Sequence, residues 1–174
     1  QGDGFRSKGQ LYMADVMTLP EVQQLASTIS NFSWLPEGNG FLISTKTGDK
    51  LDSDIELSKL RLESQNVQPL AAIPVGENEY IITTSSFKWS RDNQWVAFLL
   101  IPTASMSADS NILCVLSKDG KLLNKTDKTL NYDEWFQWSP TNPLLGSISG
   151  EGREATSNKA LTLHHPLYIK TEEL

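Results

Sequence analysis

The chain has 174 residues, length enough for one sizeable domain, and 39% of them are hydrophobic, below the roughly 45–50% of an average globular domain. With 15 basic against 21 acidic residues, a formal charge of −6 and no basic cluster, it lacks the electrostatic footprint of a nucleic-acid binder. The longest apolar run, Trp95-Val96-Ala97-Phe98-Leu99-Leu100-Ile101, falls far short of the ~20 residues that span a bilayer, so direct membrane insertion is not expected. A single cysteine, Cys114, excludes an internal disulfide and a cysteine-based metal site, and its apolar neighbours make it a small buried hydrophobe.

In chain order, Gln1-Gly2-Asp3-Gly4 carries neither Met nor a charged-then-apolar leader, and reads as a processed or truncated start. Residues 10–15 and 21–25 then read as two strands around a turn near Pro20. The rival is a short helix over 19–27, because Glu, Gln, Leu and Ala favour helix. The motif Phe32-Ser33-Trp34-Leu35-Pro36 follows, with a Gly/Asn turn leading to an apolar strand at 41–44. Strands at 55–61 and 67–73 come next. The same succession restarts at Phe87-Lys88-Trp89-Ser90-Arg91, with strands at 95–98, 112–117 and 121–124. It restarts again at Phe136-Gln137-Trp138-Ser139-Pro140, with strands at 144–147 and 160–164. Asp119-Gly120 between apolar runs is the strongest short hairpin signal.

From Phe32 to Phe87 is 55 residues and from Phe87 to Phe136 is 49, a period of repeat architectures. Four antiparallel strands per repeat make a propeller blade. The fold expected is all-β: a partial β-propeller of about three four-stranded blades plus a half blade. It forms a single domain over 1–174, with the half blade at 10–26 and blades at about 29–74, 80–126 and 133–174. Trp34, Trp89 and Trp138 are expected at equivalent, largely buried positions, because each repeat needs large apolar groups to pack blade on blade.

The run Phe87-Lys88-Trp89-Ser90-Arg91-Asp92-Asn93-Gln94-Trp95-Val96-Ala97-Phe98 resembles the TolB-like β-propeller repeat, a relative of the WD repeat. The resemblance extends over about 10–165, and departs from the pattern at Leu35, Arg91 and Thr141. It implies a non-catalytic, protein- or peptide-binding scaffold of the bacterial envelope, placed outside the cytoplasm. Propellers close with about 4–8 blades. Three and a half therefore imply a fragment of a longer protein, or copies that associate as a homodimer through open ends. Two other classes stay open: a propeller segment accompanying a prolyl-oligopeptidase-like peptidase, and a propeller glycosidase or lactonase.

Chemistry-bearing constellations are weak. Gly150-Glu151-Gly152-Arg153-Glu154-Ala155 matches a dinucleotide-binding pattern but leads into a strand, where the pattern needs a helix N-terminus. The carboxylates of Asp49, Asp52, Asp54 and Glu56 lack the glycine turn and distal glutamate of a calcium loop. His164 and His165 alternate across a strand and cannot easily share a metal. Gly146-Ser147-Ile148-Ser149-Gly150 puts Ile where a nucleophile elbow needs Ser. Asp133 and Glu134 are adjacent, unlike a glycosidase pair facing across a sugar. No cofactor, no metal and no catalytic residue is expected.

One feature points to a surface. The loops joining second to third strands, 46–54, 102–109 and 150–158, are long and divergent, and equivalent loops of a repeat fold emerge on one face. Lys46, Asp49, Asp52, Asp54, Met106, Asp109, Glu151 and Arg153 are the binding candidates, with a protein or peptide as partner.

Overall fold

The structure is a computed structural model that describes residues 9–13, 23–50, 53–75, 81–102, 111–130, 135–149, 160–168 and 171–173. Strands β1 (Gly9–Met13) and β2 (Gln23–Ile29) pair as an antiparallel hairpin. The extended pairing at 23–27 overturns the rival helix, because apolar Leu25, Ala26 and Ile29 gain more by covering a sheet than helix propensity supplies. Blade 1 is β3 (Asn31–Trp34), β4 (Gly40–Lys46), β5 (Ile55–Arg61) and β6 (Val67–Ile73), paired in that order. Blade 2 is β7 (Ile81–Trp89), β8 (Trp95–Pro102), β9 (Asn111–Ser117) and β10 (Leu122–Leu130). Blade 3 contains β11 (Phe136–Trp138), β12 (Leu145–Ser149) and β13 (Ala160–His164). A 3-10 turn at Pro166–Tyr168 follows. The last strand, β14 (Thr171–Glu173), does not extend blade 3; it pairs with β10, on the outer edge of blade 2.

Alternation along the strands builds the core. On β8, Val96, Phe98 and Leu100 face blade 1, and Ala97 and Leu99 face blade 3. On β9, Cys114 and Leu116 face blade 1, while Leu113 and Val115 face blade 3. The strand period of two thus makes blade 2 the middle layer, covered on both faces. Blade 1 supplies Leu42, Ile55, Leu57 and Ile73 to the first joint, and turns Phe41, Ile43 and Leu60 to the hairpin. The first joint also holds a buried polar link, in which the Ser44 hydroxyl lies 2.7 Å from that of Thr84 and 3.0 Å from that of Ser30.

The turns repeat one hydrogen-bonding device. In blade 2 the Ser90 hydroxyl donates to Asp92 Oδ1 at 2.6 Å and accepts from the Trp95 amide at 3.0 Å. Asp92 Oδ1 also accepts the Gln94 amide at 3.1 Å. The β9–β10 hairpin copies it: the Ser117 hydroxyl donates to Asp119 Oδ1 at 2.6 Å and accepts from the Leu122 amide at 3.0 Å. Asn93 and Gly120 supply the positive φ, at 58° and 78°. Leu35 removes the hydroxyl from the first copy, which keeps only the backbone bonds Leu35 N to Gly40 O and Gly38 N to Leu35 O. Thr141 removes the carboxylate from the third, and Ser139 Oγ accepts the Thr141 and Asn142 amides at 3.3 and 3.2 Å instead.

Hydrogen bonding holds the Asp119 carboxyl below its ordinary 3.8, first by the Ser117 hydroxyl and then by the Lys121 amide. Glu37 is held below 4.5 chiefly by its hydrogen bond from Lys118. A carboxylate with a depressed folded value stabilises the fold above its unfolded value, and loses that contribution as pH falls through the folded value. Urea midpoints should therefore fall between about pH 5 and about pH 3, and the double variant Glu37→Gln/Asp119→Asn should show a shallower fall. Parallel acid limbs in the two proteins would contradict the assignment.

Candidate interaction faces

Four surfaces are candidates: the loop end of the blades, the turn end, and the two outer faces of the array.

At the turn end the blades are tied together. Lys118 Nζ donates to Glu37 Oε1 at 2.7 Å, bridging the β9–β10 turn to the β3–β4 turn. Arg91 donates to the Pro140 carbonyl, bridging the β7–β8 turn to the β11–β12 turn. Lys59 Nζ reaches from β5 to the Lys118 carbonyl at 2.8 Å, and burial pushes its ammonium down from 10.5. These side chains hold the scaffold, and Lys59 and Lys118 also wall a cleft of about 510 Å³, with Trp95 and Asp119.

With the first-to-second strand turns at that end, the β4–β5, β8–β9 and β12–β13 connections leave from the other, as antiparallel pairing requires. Of the candidate residues, Lys46, Asp49 and Asp54 are described, whereas Asp52, Met106, Asp109, Glu151 and Arg153 lie outside the described residues, as does the Gly150-to-Ala155 pattern. The β4–β5 loop is closed by its own bonds. The Thr47 amide donates to the Asp54 carbonyl at 2.9 Å, and Lys46 Nζ donates to the Lys50 carbonyl at 3.2 Å. Asp54 Oδ1 accepts the Val75 amide at 3.0 Å, fixing the exit of β6, and Glu56 Oε1 accepts the Ser58 hydroxyl at 3.1 Å. Asp54 thus shapes the loop, and Asp49 stands exposed at its tip.

Ser147 and His164 meet, with Oγ and Nε2 2.8 Å apart, but the serine is only 4% exposed. His165 Nδ1 accepts the Leu167 amide at 3.3 Å, and its ring packs on Tyr168 with centroids 5.0 Å apart. Among the described residues no three His, Cys, Asp or Glu side chains converge as metal ligands, and no helix is long and apolar enough to cross a membrane. Asn31-Phe32-Ser33 and Asn124-Lys125-Thr126 match the glycosylation sequon in sequence, and the asparagines that open them have buried side-chain atoms, Asn31 Nδ2 and Asn124 Oδ1.

Open ends were expected from the blade count, and the structure shows which residues stand on them. Phe87 and Trp89 pack into the joint with blade 1, and Trp138 into the joint with blade 2, where its Nε1 donates to the Lys88 carbonyl at 2.8 Å. Lys88 in turn lays its ammonium 4.1 Å from the Phe136 ring centre. The equivalent pair in blade 1 has no such socket. Phe32 is 48% and Trp34 50% exposed, which corrects the expectation that all three tryptophans are largely buried. The hairpin covers Phe41 behind them, 4.2 Å from the Trp34 ring and 5.9 Å from that of Phe32, but not the inner strand. At the opposite end Leu161 and Leu163 stand 73% and 67% exposed beside a groove of about 450 Å³. Their alternation with Thr162 and His164 was the available signal, since it marks a sheet face built to be covered.

No family model matches the chain, and neither does any curated protein. Among solved structures the chain is similar to TolB from Acinetobacter baumannii, with a TM-score of 0.53 and 14% identity over 94% of this chain. The matched part is 37% of that chain's length. At that identity the likeness speaks for the fold alone, and the fold is a TolB-like partial β-propeller.

Proposed function

We propose that the chain is a non-catalytic scaffold segment of a TolB-like propeller protein, acting outside the cytoplasm in the bacterial envelope and binding a protein or peptide through its loop end. The observation that carries this reading is the unequal treatment of the two ends of the blades. Tight turns, locked by Ser90, Asp92, Ser117, Asp119 and the Lys118–Glu37 bridge, close one end. The strand pairs β4–β5, β8–β9 and β12–β13, whose connections differ in length in the sequence, end at the other. A mixed-charge set such as Lys46, Asp49 and Asp54 suits polar contact with a polypeptide better than enclosure of a small molecule.

The test is selection of displayed peptides on the chain, followed by titration against the double variant Lys46→Glu/Asp49→Lys. Selected peptides should bind at micromolar concentration and lose affinity several-fold on charge reversal. Failure to select any peptide, or peptides indifferent to the variant, would reject the loop end as the binding face. Fusion of the full reading frame to alkaline phosphatase tests location, because that reporter folds only where disulfides form.

A further inference from the structure

We infer that the turn end of the joint between blades 1 and 2 binds an acidic polypeptide segment through Lys59, Arg61 and Lys118. Lys59 stands where the repeat otherwise carries an apolar residue. The amides of Leu35, Ser90 and Ser139 bond the carbonyls of Gly40, Trp95 and Leu144, which makes these three acceptors equivalent. Two residues on from them, Leu42 pairs with Lys59, Ala97 with Val115 and Gly146 with Leu163. One position is thus lysine in blade 1, valine in blade 2 and leucine in blade 3. Val115 is fully buried in the joint with blade 3. Cross-strand partners share a face, and Leu42 lies in the core toward blade 2, so Lys59 points into the joint.

Among the described residues no carboxylate pairs with this lysine. Its ammonium gives one of its three donors to the Lys118 carbonyl, at 2.8 Å. The carboxylates nearby are engaged elsewhere. Glu37 accepts from Lys118 Nζ at 2.7 Å, and Asp119 accepts the Ser117 hydroxyl at 2.6 Å and lies 3.6 Å from Lys121 Nζ. Arg61, two residues along the same face of β5, donates to Asn39 Oδ1 at 2.6 Å. Burial, followed by the charges of Arg61 and Lys118, holds the Lys59 ammonium below its ordinary 10.5. A cation at a core position beside two like charges opposes folding, and departures of that kind mark functional positions. The cleft at Lys59 is lined also by Gln94, Ser117 and Leu122. Alternate residues of a strand stand about 7 Å apart, so Lys59 and Arg61 match carboxylates at alternate positions of an extended peptide, an advantage that a single phosphate lacks. The rest of a chain of formal charge −6 repels such a peptide and confines it to this patch.

The experiment is fluorescence anisotropy of a labelled Glu-Ser-Glu-Ser-Glu peptide titrated with the 174-residue chain at low salt, beside urea denaturation of each variant. Lys59→Val should weaken binding at least tenfold and raise the urea midpoint, because valine is what blade 2 carries at that position. Arg61→Gln should weaken binding several-fold at an unchanged midpoint. The loop-end variant Lys46→Glu/Asp49→Lys should bind the peptide as the wild type does, which separates this site from the loop-end reading. Inorganic phosphate should displace the peptide no more than sodium chloride of the same ionic strength. A wild type that does not bind, or binding that survives Lys59→Val, overturns the proposal. Loss of binding in the loop-end variant overturns it by moving the contact to the other end of the blades. Specific displacement by phosphate overturns it in favour of a small anion. A lower midpoint for Lys59→Val also overturns it, since the lysine would then be a brace of the joint.

Discussion

Replacing Phe98 by alanine lowers the unfolding free energy by about 3–5 kcal/mol, as large aromatic core truncations do. Phe98 is fully buried on β8 and packs 5.3 Å from Phe87, between the facing sheets of blades 1 and 2. The residues around it belong to regular strands that cannot collapse into the space without shifting ladders, so the cavity term stays large. Guanidinium denaturation measures it. Trp34→Ala, on the exposed inner strand, should change the same curve by less than about 1 kcal/mol in the monomer. A small loss at Phe98, or a large one at Trp34, would mean that the joint between blades 1 and 2 is not where the stability resides.

Gly120→Ala is expected to cost about 2–5 kcal/mol from two causes that add. The residue sits at φ 78°, where a Cβ costs roughly 1–2 kcal/mol. A Cβ there would also stand 2.2 Å from the Leu70 carbonyl oxygen on β6, so backbone of one blade meets backbone of the next. Relief requires sliding blade 2 from blade 1, an overpacking penalty of about 1–3 kcal/mol. Gly38→Ala is the control: it shares the positive φ, at 71°, but its Cβ meets nothing within 4 Å. Urea midpoints for both variants separate the terms. Equal losses would show that conformation alone, and not the close approach, fixes glycine at position 120.

The strands at 55–61, 67–73 and 160–164 were legible to the residue, because apolar alternation bounded by turn residues fixes which side chains face a core. The hairpin at Asp119-Gly120 was legible because turn residues between apolar runs act locally, whereas the bonding that Ser117 and Asp119 share with Ser90 and Asp92 came from the structure. Trp34 was not. Its motif matches those of Trp89 and Trp138, and its exposure depends on whether a preceding inner strand covers it, which no local pattern encodes. The pairing of β14 with β10 was equally hidden: Thr171, Glu172 and Glu173 carry no apolar face to announce a partner. Asp54 was expected at a binding surface from its charge, and its bond to the Val75 amide depends on the approach of β6. The loop end was legible as a place and not as a set of contacts.

The burial of β8 and β9 on both sides has a consequence during synthesis. A strand that is apolar on two faces must wait for two neighbours, and here they emerge on opposite sides of it in time. Blade 1 is complete when β8 leaves the ribosome, so Val96, Phe98 and Leu100 find their partners at once. Ala97, Leu99, Leu113 and Val115 must wait for β11 and β12, about 30 residues beyond Val115. At roughly 5–20 residues per second that interval lasts about 2–6 s. During it the nascent chain displays an apolar sheet face, which favours association with other exposed apolar surfaces. Translation pauses placed between residues 117 and 136 should therefore raise the insoluble fraction, and the same pauses after residue 149 should not.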